Sequence, residues 1–147
     1  MTEIDPFDLA RFVKAQTPVY SRVLSELERG RKETHWIWFI FPQLKGLGRS
    51  ATAEHFGIVS REEALAYFGH DLLRGRLIDC TSLVLKHAGT RIEHIFPYPD
   101  HLKVHSSMTL FAEVAPAERV LAKTLDVFFD GKKDEKTLRL LRQPPAL

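Results

Sequence analysis

Apolar residues recur along this chain mostly at the three- and four-residue spacing of helices, punctuated by start and stop signals. Asp5-Pro6 opens the first such stretch, in which Leu9, Phe12, Val13 and Gln16 share one face. Asp5 is a good acceptor for free helix amides, and Pro6 sits where its missing N–H costs nothing. Thr17-Pro18 repeats the start signal, Tyr20, Val23, Leu24 and Leu27 form the next stripe, and Gly30 follows as a stop. Ser60-x-x-Glu63 and Thr90-x-x-Glu93 fit the capping-box pattern. Residues from about 71 to 87 place Leu73, Leu77, Cys80 and Val84 on one stripe before Gly89. A helix over about 99–114 carries Leu102, Ser106, Thr109 and Leu110. Pro116 suits a new first turn, and Val120, Leu121, Thr124, Leu125, Phe128 and Phe129 lead to Gly131. A short helix over about 134–141 precedes Pro144-Pro145, which ends the order. No alternation long enough for a strand is present, and no linker or internal repeat divides the chain. The pattern predicts an all-α fold, a single compact irregular bundle of about eight or nine helices over 1–147, ordered over about 5–141.

One block breaks the amphipathic rule. His35-Trp36-Ile37-Trp38-Phe39-Ile40-Phe41-Pro42-Gln43 holds both tryptophans and the longest apolar run, the six residues Trp36–Phe41. Its helical neighbours favour a helix over a lone strand, whose backbone groups would lack partners. A helix apolar all round must be surrounded, so the block is expected at the centre of the core. The indole N–H groups and His35 are polar handles that need partners when buried, and aromatics with convergent polar groups also describe a ligand pocket.

Composition narrows the class. The chain has 147 residues, 44% hydrophobic and 27% charged, an ordinary globular composition. Six apolar residues fall far short of the roughly 18 that a membrane span needs. The acidic start shows no secretory signal, and one cysteine, Cys80, allows no internal disulfide, so a cytoplasmic location is expected. The net charge of +2 is spread through alternating acidic and basic positions. No dense basic stripe marks a nucleic-acid surface, and neither nucleic acid nor membrane is expected as a partner.

Three stretches carry candidate chemistry. Gly46, Gly48 and Ala51 match the loose dinucleotide fingerprint, but no strand precedes them directly and no βαβ unit is credible. What survives is a glycine-rich turn leading to a helix that starts near Ser50, whose free amides can hold an anion with help from Lys45 and Arg49. His101 and His105, four apart, share a helix face, but two ligands leave a zinc shell half empty. Neither a metal nor any other cofactor is expected. In Lys103-Val104-His105-Ser106-Ser107-Met108-Thr109-Leu110-Phe111, small hydroxyls sit on an apolar stripe, where each needs a hydrogen bond. They either bond back to their own helix or face a pocket. Cys80 lies on an apolar stripe and reads as core, and no G-x-S-x-G elbow supports a serine hydrolase.

The set HWIWFIFPQLKGLGRSA, EEALAYF, KVHSSMTLF and the closing apolar stretches 125–129 and 138–141 resembles a small bacterial and fungal family of unknown function. Some of its members carry a calpastatin label. Such inhibitors are disordered repeats, whereas this chain has the composition of a packed domain. The resemblance spans about 7–141 and implies an all-α fold with no established activity, catalytic residue or cofactor. It marks His35, Gln43, Gly46, Gly48, Ser50, Lys103, Ser106, Ser107 and Thr109 as motif positions.

Two functional readings follow. In the first, a small polar or anionic metabolite, nucleotide-like ligands included, binds in a cleft between the His35–Gln43 block and the Lys103–Thr109 helix. Its ligand-binding set is His35, Trp36, Trp38, Gln43, Gly46, Gly48, Ser50, Lys103, Ser106, Ser107 and Thr109, with His35 the candidate acid or base. In the second, the aromatic block is only core and the chain is a non-catalytic protein–protein interaction domain. Neither reading specifies an oligomeric state.

Overall fold

The structure, a computed structural model, describes residues 4–143. Ten α-helical segments follow one another: α1 Ala10–Gln16, α2 Tyr20–Glu28, α3 Ile37–Ile40, α4 Ala51–His55, α5 Arg61–Gly69, α6 Asp71–Leu85, α7 Ile92–Ile95, α8 Asp100–Val114, α9 Arg119–Phe129 and α10 Glu135–Arg142. A 3-10 turn, Thr17–Val19, joins α1 to α2 almost without a loop. Among the described residues the only β-type pairing is one parallel bridge between Leu44 and Ile58. The all-helical bundle expected from the hydrophobic pattern is what forms. Pro144-Pro145, read as the end of order, lies outside the described residues.

Several start signals act as their chemistry demands. Asp5 accepts from the Leu9 and Ala10 amides at 2.8 and 3.0 Å. Ser50, Ser60 and Asp134 each accept the amide three residues on, opening α4, α5 and α10. Other expectations fail locally: α1 begins only at Ala10, so Pro6 lies in the turn before it rather than at its first position, and Thr17 Oγ1 donates to the Val13 carbonyl instead of capping α2. Thr90 does not cap α7, which starts after Arg91, and Glu93 pairs with the Arg91 guanidinium instead. Pro116 lies in the turn before α9, which begins at Arg119.

The central element is α8. Six consecutive residues, Ser106–Phe111, are buried, and α3, α5, α7, α9 and α10 all pack against it. Its small hydroxyl residues allow this close approach. Thr109 Oγ1 donates to the His105 carbonyl at 2.9 Å, and Ser106 Oγ lies 3.1 Å from the Leu102 carbonyl, so these two hydroxyls bond back to their own helix.

The aromatic block is core, as its composition requires, but only Ile37–Ile40 is helical, a single turn. Trp36, Ile37, Phe39, Ile40 and Phe41 are buried, while Trp38 is half-buried against the same core. The chain is fixed by polar anchors: Gln16, buried on α1, donates to the Phe39 carbonyl at 2.7 Å. Trp36 Nε1 donates to Glu26 at 2.9 Å, and its ring packs edge-on to Phe96.

Glu26 organises the approach to this block. Its Oε1 accepts from the Glu33 and Thr34 amides at 2.7 and 2.9 Å, and its Oε2 accepts from the Thr34 hydroxyl at 2.6 Å. Burial alone would push this carboxyl up; the Thr34 hydroxyl, the Thr34 and Glu33 amides and the Trp36 indole together hold it at about 2. On the other side Lys32, itself buried, pairs with Asp100 at 2.7 Å and lies over the Trp36 ring. Arg11 ties α1 to the end of α4 and to α5, reaching the His55 and Gly57 carbonyls and the buried Glu63 carboxylate at 2.8 Å. Residues 57–60 are thereby held against 43–45, where Ile58 N donates to Gln43 O and Lys45 N to Ile58 O.

Candidate ligand-binding groove

The turn after the bridge is shaped by two glycines. Gly46 adopts φ +100°, a region open to glycine and strained for other residues. At Gly48 the constraint is space: a Cβ there would lie 2.6 Å from the Ala53 Cβ of α4 and 3.4 Å from Gln43 Nε2. The turn thus packs closely against α4 and beside the Gln43 side chain.

Opposite this turn stand α8 and α10. Thr109 Oγ1 accepts from the Asp134 amide at 2.9 Å, fastening the start of α10 to α8. Asp134 caps α10, accepting from Thr137 Oγ1 and the Thr137 amide at 2.6 and 3.2 Å, and its Oδ2 lies 3.1 Å from Ser106 Oγ. With Thr137 buried, Lys136 and Arg139 face outward over the space between the helices and the turn.

That space is a groove of about 500 Å³ lined by Gln43, Leu47, Gly48, Pro99, Leu102, Lys103, His105, Ser106, Asp134, Glu135, Lys136 and Arg139. Its size is that of small-molecule sites. Three permanent cations converge on it from two helices. Lys103 is 3.8 Å from Asp100, whose other oxygen is taken by Lys32. Lys136 and Arg139 form no ion pair among the described residues. Of the two lining carboxylates, Asp134 is committed to capping. The groove offers ammonium and guanidinium donors, the Gln43 amide and the Ser106 hydroxyl beside an apolar floor of Leu47, Pro99 and Leu102. A smaller space of about 310 Å³ is lined by Leu44, Ile58, Leu140 and Leu141 with Lys45, Arg61 and Glu62 among its polar residues.

The residues singled out from the sequence divide clearly. Gln43, Gly48, Lys103 and Ser106 line the groove. Gly46 borders an adjoining depression that shares Lys136 and Arg139. Thr109 is buried and acts as the fastener of α10. Ser107 is buried in the core with its hydroxyl unpartnered. Ser50 spends its hydroxyl on the Ala53 amide as the cap of α4, outside the groove. Trp36 and Trp38 belong to the core, the Trp36 N–H being taken by Glu26. His35 is exposed and does not line the groove.

Five polar residues at the groove escaped sequence reasoning as ligand contacts: His105, Asp134, Glu135, Lys136 and Arg139. On α10 the three-residue spacing of Lys136 and Arg139 signals a shared face, but sequence alone reads that face as solvated. His105 Nε2 is 2.7 Å from the Lys132 carbonyl, and His101 lies by Tyr98. Cys80 is buried beside Tyr20, and burial pushes its thiol up to about 12.

The chain matches the model of a family described as "Protein of unknown function (DUF1810)" over residues 6–141, and it belongs to that family. It is similar to the crystal structure of the conserved hypothetical protein Rv1873 from Mycobacterium tuberculosis, with 52% identity and a TM-score of 0.93. That match covers 95% of this chain and 100% of the other. No curated protein matches the chain. No helix among the described residues is long and apolar enough to cross a membrane.

Proposed function

We propose that this protein binds a small anionic metabolite, nucleotide-like ligands included, in the groove between the Gln43–Gly48 turn, α8 and α10. The observation that supports this most is the convergence of Lys103, Lys136 and Arg139 on one concave space of metabolite size. Solvated cations on a convex surface scatter, whereas these three share a recess with an amide and a hydroxyl. Arginine and lysine together suit an anion with several oxygens, the guanidinium as a planar fork and the ammonium groups as point charges. Leu47, Pro99 and Leu102 supply apolar contact for the rest of the molecule.

Thermal denaturation with a panel of phosphates, carboxylates and nucleotides tests the proposal, with chloride at matched ionic strength as control. A ligand at about 100 times its Kd stabilises the folded state by about 2.7 kcal/mol. The expected result is a saturable rise in Tm that is lost in the Lys136→Ala/Arg139→Ala double variant. Both side chains are exposed, so the variant should melt near the wild type without ligand. An absence of saturable stabilisation by any anion of the panel would refute the reading.

A further inference from the structure

His105 reaches the groove in one defined tautomer. Its ring lies flat on Phe129, with centroids 4.3 Å apart and planes 7° apart, and its Nε2 is 2.7 Å from the Lys132 carbonyl oxygen. A carbonyl oxygen only accepts, so Nε2 carries the proton. In the neutral imidazole Nδ1 is then a bare acceptor. It has no partner among the described residues and is open to solvent, unlike Nδ1 of His101, which is buried. Stacking and the Nε2–H bond together stop the ring from turning over.

We infer that His105 Nδ1 is the acceptor for a hydroxyl of the bound ligand, so that the groove takes a hydroxylated phosphate ester, the chemical class of polyol and sugar phosphates. This rests on the anion-binding reading above. Lys103, Lys136 and Arg139 supply charge for the phosphate but distinguish little among anions. Every side-chain donor in the groove serves acceptor oxygens, whereas an alcohol O–H needs an acceptor of its own. Asp134 Oδ2 is engaged by Thr137 and Ser106, and beside the Gln43 amide oxygen and the Glu135 carboxylate the imidazole nitrogen is the acceptor whose ring is held in one orientation, by Phe129 and the Lys132 carbonyl. A hydroxyl held there is recognised by direction as well as by charge.

The experiment compares glycerol 3-phosphate with ethyl phosphate, which carries the same anionic group and no hydroxyl, by calorimetry. One hydrogen bond between neutral groups should make glycerol 3-phosphate bind roughly fivefold tighter. His105→Gln keeps a donor near Nε2 and removes the acceptor at Nδ1. It should bring the two affinities together. His105→Asn keeps an acceptor near Nδ1 and should retain part of the preference, which guards against a misfolded Gln variant. Carbon and nitrogen NMR shifts of the wild-type ring should report the Nε2–H tautomer. Equal affinities in the wild type, a preference that survives His105→Gln, or an Nδ1–H tautomer would each overturn the inference while anion binding stands. If neither phosphate binds the wild type, the inference fails, and the reading beneath it fails with it only if no anion of the panel above binds either.

Discussion

Replacing Glu26 with glutamine tests how the chain holds its aromatic block in place. The carboxylate accepts four hydrogen bonds, from the Glu33 and Thr34 amides, the Thr34 hydroxyl and the Trp36 indole. Glutamine keeps the shape and one oxygen but removes the charge, so charge-assisted bonds become neutral ones of about half the strength. The folded carboxyl sits at about 2, against an ordinary value of 4.5. At 1.36 kcal/mol for each pKa unit, this difference is worth roughly 3 kcal/mol at neutral pH. The unfolded chain takes up the proton first as pH falls. The contribution is therefore complete above about pH 5, declines as the pH drops through the ordinary carboxylate range, and is gone near pH 2. Urea denaturation of both proteins from pH 7 to pH 2.5 measures it. Glu26→Gln should cost roughly 3 kcal/mol at pH 7, and the gap should narrow steadily below pH 5. A cost that stays constant across that range would show that the loss comes from packing, and the charge argument would fail.

Other outcomes follow from burial and space. Trp36→Ala removes a ring that is 1% exposed and should cost roughly 3–5 kcal/mol, clearly more than Trp38→Ala at its half-buried site, both read by denaturant titration. Cys80 should stay unreactive toward a thiol reagent in the native protein and react once on unfolding, since its buried thiol is pushed up to about 12; fast native labelling would contradict the packing. Gly48→Ala sets a methyl 2.6 Å from Ala53 and should cost about 1–3 kcal/mol in a melt while weakening any anion bound beside Gln43; a neutral variant would show that the turn can shift.

The class of fold was legible before any coordinates because it depends on local chemistry. Ser50, Ser60 and Asp134 cap helices wherever the chain goes afterwards, since each bond spans only three residues. The stripes Leu73–Leu77–Cys80–Val84 and Leu121–Thr124–Leu125 declared buried faces by spacing alone. The aromatic block announced burial through composition. Whether its polar handles met a ligand or the protein depended on a carboxylate ten residues earlier, for Glu26 takes the Trp36 N–H. The groove divides along the same line. Gln43, Gly48, Lys103 and Ser106 stand out in the sequence because each interrupts an apolar or turn pattern. Lys136 and Arg139 interrupt nothing: on an amphipathic helix they are the expected polar face. They become a candidate site only because the Asp134–Thr109 bond and the buried Thr137 set α10 on α8, opposite the Gly46–Gly48 turn. Periodicity tells which face of a helix avoids water. Which other element that face meets is decided by long-range packing and by the few side chains, such as Arg11, Lys32 and Asp134, that bridge distant segments.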